Sequence, residues 1–171
     1  MERMASIELA LTNEETEMKF YEHEAARSKN AMAKAMFETL ACDEKEHMTR
    51  IGTLHRKLVS SGSWPETVKV EVAGTNIKSV LEGLVVDAGS AADHDDDDMR
   101  AVERAIGFET KGEKFYADLA RVCDNPKEQE LFSFLSGIER EHRLSLTDTL
   151  QYLEDPATWL AQRERSGLDG A

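Results

Sequence analysis

Asp43-Glu44-Lys45-Glu46-His47 and Glu139-Arg140-Glu141-His142 are the stretches that decide how this chain folds. Each carries Glu-x-x-His, and each interrupts a stripe of apolar residues. The first stripe runs Phe37, Leu40, Glu44, His47, Ile51, Leu54, Leu58; the second runs Phe132, Leu135, Glu139, His142, Leu146, Thr149, Leu153. Both step by alternating threes and fours, the spacing of one helical face turned toward a bundle core. A carboxylate and an imidazole inside such a stripe are costly to bury unless something neutralises them. A bound metal is the simplest neutraliser.

The spacing recurs on a larger scale. Glu109 follows Glu14 by 95 positions, as Tyr116 follows Tyr21, Glu139 follows Glu44 and His142 follows His47. Ala10, Lys19, Phe20, Ala25, Asn30, Phe37, Leu40 and Glu46 recur as identical residues in the same gapless register. Polar residues repeated inside apolar faces argue for two copies of one helical hairpin.

Composition narrows the class. A chain of 171 residues, 40% hydrophobic and 32% charged, can build one sizeable core. Its net charge of -13 opposes nucleic acid or an anionic membrane as a partner. No apolar run approaches the roughly 18 residues of a membrane span, and the N-terminus lacks a signal pattern, so a cytoplasmic location is expected. Cys42 and Cys123 are isolated, which excludes a four-thiolate zinc ribbon or rubredoxin-type module; both read as reduced thiols.

Periodicity predicts an all-α chain in one domain: a first hairpin over 1–62, a crossover over 63–92, a second hairpin over 93–155 and a short C-terminal segment over 156–171. The first helix is expected over 6–29 with the stripe Ile7, Leu11, Glu14, Met18, Tyr21, Ala25. The second follows a break near Asn30 and stops at Ser61-Gly62-Ser63-Trp64-Pro65. Val68, Val70 and Val72 alternate, and residues 77–86 read as a short helix. So long a connection suits a ferritin-like four-helix bundle rather than a simple up-down one. Asp93-His94-Asp95-Asp96-Asp97-Asp98 reads as the solvated start of the third helix, since it lacks the glycine and distal glutamate of an EF-hand loop. Asn125-Pro126 caps the fourth helix.

Residues three apart on a helix can reach one ion, so Glu44 with His47, and Glu139 with His142, each offer a pair of ligands. Glu14 and Glu109 add one carboxylate each. Four glutamates and two histidines form the ligand pattern of ferritin-like di-iron and di-manganese bundles. Two divalent cations would offset the repulsion, and oxygen and nitrogen donors without thiolate favour two iron ions, with manganese or zinc as alternatives. Glu44 and Glu139 are the natural bridges. Tyr21 and Tyr116, two turns beyond Glu14 and Glu109, are candidates to hydrogen-bond the carboxylates. Glu17 and Glu113 are candidate extra ligands. His23, His55 and His94 read as surface residues.

These residues resemble the rubrerythrin-like branch of the ferritin-like superfamily. The phrases that carry the resemblance are residues 14–21 (EETEMKFY) and 43–47 (DEKEH), then 109–116 (ETKGEKFY) and 139–142 (EREH). A tail of Asp155-Pro156-Ala157-Thr158-Trp159 and Leu168-Asp169-Gly170 also fits. The resemblance implies a di-iron bundle, a dimer or larger, that reduces hydrogen peroxide or dioxygen with electrons from a rubredoxin-type centre. Its ligands would be Glu14, Glu44, His47, Glu109, Glu139 and His142. With no rubredoxin module in this sequence, the donor would be a separate protein. Rubrerythrins also carry a seventh ligand glutamate three positions after the third-helix ligand, where this chain has Gly112. Glu113 is adjacent, and Glu17 holds the matching place in the first repeat. The remaining six-ligand set looks equally like a bacterioferritin-type ferroxidase centre.

Overall fold

The computed structural model describes residues 3–62 and 96–168, which form five helices: α1 (Arg3–Arg27), α2 (Ala31–Ser61), α3 (Asp96–Val122), α4 (Pro126–Glu154) and α5 (Pro156–Leu168). The predicted all-α ferritin-like bundle is what the chain forms. Strands are absent among the described residues. The alternating valines and the expected short helix at 77–86 lie outside them, as do Asp93, His94 and Asp95. No described helix is long and apolar enough to cross a membrane.

The apolar stripes explain the packing. Every residue of the two Glu-x-x-His stripes is buried, none more than 4% exposed. On α1, Ile7, Glu14, Tyr21 and Ala25 are buried, while Leu11 and Met18 are partly covered. α1 packs along α2, and α3 along α4.

The core divides into two apolar layers. One joins Tyr21, Phe37, Leu40, Val102, Leu146 and Leu153 with their neighbours. The other joins Ile7, Leu54, Leu58, Tyr116, Leu119 and Phe132 with theirs. The C-terminal half of α2 lies in the second layer and the N-terminal half of α3 in the first. The chain therefore leaves α2 at one end of the bundle and re-enters at the other, as a crossover requires. The Glu-x-x-His motifs sit between the layers.

Local signals set the helix ends. Asn30 and Asn125, equivalent in the 95-residue register, both cap helices: Asn30 Oδ1 accepts from the amides of Met32 and Ala33, and Asn125 Oδ1 from that of Lys127. Pro126 takes the first position of α4, where its missing N–H is harmless. Gly62 stops α2 in the left-handed region at φ 67°, which a side chain disfavours. The expected C-terminal segment is a true helix, opened by Pro156 and capped by Asp155, whose Oδ1 accepts from the Thr158 amide. It docks through Trp159, whose indole N–H donates to Asp148 and whose ring meets Tyr152 edge-on at 5.3 Å.

The acidic run departs from its sequence reading. Asp96 and Asp97 are exposed, but Asp98 is buried at 2% exposure. Its Oδ2 accepts from the backbone amides of Lys29 (3.0 Å) and Asn30 (2.8 Å), so α3 supplies an acceptor for the turn that starts α2. Beside it Glu24 is buried against Arg27 and Arg104. Sequence periodicity treats Asp96, Asp97 and Asp98 alike because it does not register contacts between helices far apart in the chain.

Replacing Asp98 by Ala leaves two amides without this acceptor and is expected to cost about 2 kcal/mol, whereas Asp96→Ala should cost under about 1 kcal/mol. Thermal denaturation of the two variants checks the difference.

Candidate metal centre

Between the two apolar layers the four long helices bring together Glu14, Glu44, His47, Glu109, Glu139 and His142, all six at 0–1% exposure. His47 Nδ1 lies 3.0 Å from Glu14 Oε2 and 2.9 Å from Glu44 Oε2. His142 Nδ1 lies 3.2 Å from Glu44 Oε1 and 3.5 Å from Glu109 Oε2. Glu44 therefore faces both imidazoles, one with each oxygen. The rings themselves stack at 5.6 Å between centroids, 18° apart.

Among the described residues, three sets each bring ligand atoms within 4.8 Å of one another: Glu14, Glu44 and His47; Glu44, Glu109 and His142; and Glu17, Glu44 and Glu139. Any of them could hold a metal ion. Glu44 belongs to all three. Glu139, which spacing offered as the second bridge, groups with Glu17 rather than with an imidazole.

The tyrosines cross between hairpins. The Tyr21 hydroxyl donates to Glu109 Oε1, and the Tyr116 hydroxyl donates to Glu14 Oε1. Each ring stacks on the phenylalanine of its own repeat, Tyr21 on Phe37 at 6.1 Å and Tyr116 on Phe132 at 6.3 Å. The 95-residue register is thus a spatial near-symmetry.

Two residues depart from that symmetry. Asp43 Oδ2 lies 3.5 Å from His142 Nε2, behind the face that the ring turns to the glutamates. The equivalent position beside His47 is Ile138, so only one imidazole has a carboxylate behind it. The signal in the sequence was Asp43 one residue before Glu44, set against Ile138 before Glu139. The second departure is Glu113, offered above as an extra ligand. It is partly exposed and turned away from the centre: its Oε2 accepts from Arg143 Nε at 2.9 Å. Two of the three histidines read as surface residues are described. His23 is exposed; His55 is only a quarter exposed, with Nε2 3.5 Å from Glu8.

Gly112 explains the empty seventh position. A Cβ there would sit 2.8 Å from Glu139 Oε2 and 3.1 Å from its carboxyl carbon, so any side chain would displace Glu139. Glu17, the matching residue on α1, provides the extra carboxylate near the centre instead.

Confinement of so many acids shifts their protons. Burial, then the charge of Glu44, raises Glu14 to about 8. Burial and the charges of Glu44, Glu109 and Glu14 raise Glu17 to about 9. Burial, with Glu109 nearby, lifts Glu139 well above the usual carboxylate range. Burial alone would push Glu44 up, but the facing imidazoles of His142 and His47 hold it well below that range. Burial would lower His47, yet Glu14 and Glu44 raise it to about 10. Burial and the facing glutamates also lift both tyrosines, keeping them protonated as donors.

The residues suit a cation. Glu44 Oε1, His47 Nε2, Glu109 Oε2, both oxygens of Glu139 and both ring nitrogens of His142 are buried without a hydrogen-bond partner among the described residues. Orphaned polar atoms in this number are rare in native cores. An all-oxygen and imidazole donor set fits iron, manganese or zinc.

The family model for rubrerythrin matches residues 6–83. Over that stretch the chain is similar to rubrerythrin. The match covers α2 and nearly all of α1, and with them Glu14, Glu44 and His47. The other half of the centre, Glu109, Glu139 and His142, lies outside the match and is linked to the matched part through the 95-residue repeat. No curated protein and no solved structure matches the chain.

The raised groups set the stability of the metal-free protein. A carboxyl group whose folded pKa exceeds its unfolded value binds more protons folded than unfolded across that interval, so stability falls as pH rises through it. The interval runs from 4.5 to about 8 for Glu14 and to about 9 for Glu17, and from 6.5 to about 10 for His47. Glu44 acts oppositely, but only below its ordinary value of 4.5. The melting temperature of metal-free protein is therefore expected to fall steadily between roughly pH 5 and 9. Circular dichroism melts across that range check it.

Proposed function

We propose that this chain is a di-iron oxidoreductase that reduces hydrogen peroxide or dioxygen with electrons from a separate donor protein. The observation that carries the reading is the orphaned set of buried oxygens and nitrogens around Glu44, which two cations would satisfy. Glu14, Glu44 and His47 would hold one ion, and Glu44, Glu109 and His142 the other, with Glu139 beside them. A bound iron pair supplies two-electron redox capacity next to the substrate.

The chain's own residues supply the rest. Tyr21 and Tyr116 orient Glu109 and Glu14 by hydrogen bonds that cross between hairpins. The apolar layers above and below exclude bulk water, which strengthens every electrostatic contact between them. Reduction of peroxide to two waters consumes two protons and two electrons. Glu17 is partly exposed yet next to Glu44 and Glu139, so it is placed to pass protons inward. The family resemblance adds a homodimer to the proposal, which keeps the cytoplasmic setting expected from the sequence.

A second reading, a ferroxidase that takes up and oxidises iron without peroxidase turnover, draws on Gly112, where the peroxidase pattern has a glutamate. Stopped-flow mixing of the Fe(II)-loaded protein with peroxide and with oxygen separates the two. Oxidation much faster by peroxide, reversed by an added reductant, supports the first. Faster reaction with oxygen and uptake of many irons per chain supports the second. Metal analysis is expected to give two ions per chain, and less than one would sink both.

Asp43 tests the asymmetry. A carboxylate behind a metal-bound imidazole raises its basicity, so Asp43→Asn is expected to weaken one of the two metals about 10- to 100-fold and spare the other. Calorimetric titration resolves the two steps.

A further inference from the structure

A cleft of about 400 Å³ opens between α1 and α3, level with the metal centre. Its two walls are related by the internal repeat. Asn13, Thr16 and Glu17 of α1 line one side, and their equivalents Phe108, Lys111 and Gly112 line the other. Glu17 and Gly112 thus occupy equivalent positions on opposite walls of one opening. The glycine leaves room that Glu139 fills.

Directly behind Glu17 and Gly112 of this lining lie unused acceptors. Glu139 is fully buried, and neither of its oxygens has a hydrogen-bond partner among the described residues. Its carboxylate, that of Glu44 and that of the partly exposed Glu17 offer oxygens within 4.8 Å of one another. This group contains no imidazole, unlike the two pockets beside it. Partly hydrated transition-metal dications such as Fe(II) and Co(II) accept all-oxygen surroundings, and they bind more firmly where an imidazole joins the ligands.

We propose that the α1–α3 cleft is the entry for divalent metal ions, and that Glu17, Glu44 and Glu139 form an oxygen-only transit site through which an ion such as Fe(II) passes to the imidazole-bearing pockets. The proposal rests on the metal-centre reading and adds a route and a third cation position. Glu17 takes the ion from solvent, and Glu44, common to all three groups, hands it on. The shallower pocket between α3 and α4, lined by Asp96, Arg100, Glu103 and Glu154, offers no such path. Its apolar members Met99 and Leu150 pack on the first apolar layer, away from the glutamates.

The test is uptake of Co(II) by metal-free full-length protein, followed by stopped-flow absorption, with release into a chelator measured on the loaded protein. A transit residue speeds entry and exit alike and leaves affinity unchanged. Glu17→Gln is therefore expected to slow both on the order of tenfold, the scale at which a local charge alters cation capture. Two Co(II) per chain should still bind at saturation. Glu103→Gln should load at the wild-type rate. The proposal is overturned if Glu17→Gln loads as fast as wild type, or if Glu103→Gln slows loading as much. Loss of one Co(II) at saturation in Glu17→Gln would also overturn it, by making Glu17 a resident ligand. Wild-type protein that binds no Co(II) would overturn the metal-centre reading and the entry together, whereas normal binding with an unchanged Glu17→Gln rate removes the entry alone.

Discussion

Mutual repulsion among carboxylates sealed between two apolar layers is the constraint to which the rest of this fold answers. Glu14, Glu44, Glu109 and Glu139 are all fully buried, with only two imidazoles among them. Without a cation the protein manages the conflict with protons: three glutamates, counting Glu17, are driven toward the neutral form, both imidazoles are kept charged, and Glu44 stays ionised between them. Metal binding must displace those protons, which couples occupancy to pH. The apolar layers make the conflict severe, because they remove the water that would otherwise screen it. They also make the centre selective for ions able to repay the desolvation.

Much of this architecture was legible in the sequence because it follows short-range periodicity. The stripes through Glu44 and His47, and through Glu139 and His142, gave the buried faces residue by residue. The 95-residue register gave Glu14, Glu109 and the tyrosines, and the repeated asparagines marked the helix starts. Other features depend on contacts between helices far apart in the chain, which periodicity does not carry. Asp98 looked like one solvated acid in a run of them, yet it binds amides some 70 positions away. Glu113 lay near the inward face of its helix, but Arg143 of the next helix draws it outward. Asp43 was visible as a residue and not as a partner of His142, since that meeting needs both hairpins in place.

The departures from the repeat give the centre a direction. Asp43 stands behind one imidazole where Ile138 replaces it beside the other. Glu17 and Gly112 face each other across one cleft, which leaves room for a single acidic side chain at that level. A perfectly symmetric bundle would offer two equal ions and no preferred side of approach. These substitutions make the two imidazole-bearing groups of ligands inequivalent and leave the carboxylate at the cleft on α1 alone.

The crossed tyrosines have a consequence for how such a chain could arise. Each hairpin's hydroxyl satisfies a carboxylate on the other hairpin, so neither half encloses its own ligands. A single hairpin would need a twin to complete the arrangement, and two identical hairpins would complete it equally well. Covalent joining of the two copies removes the obligation to be identical. Once fused, one copy could trade a glutamate for glycine and the other an aliphatic residue for aspartate, changes that a self-paired hairpin would have suffered twice over. The crossed hydroxyls thus make the halves interdependent, whereas the covalent link leaves them free to differ.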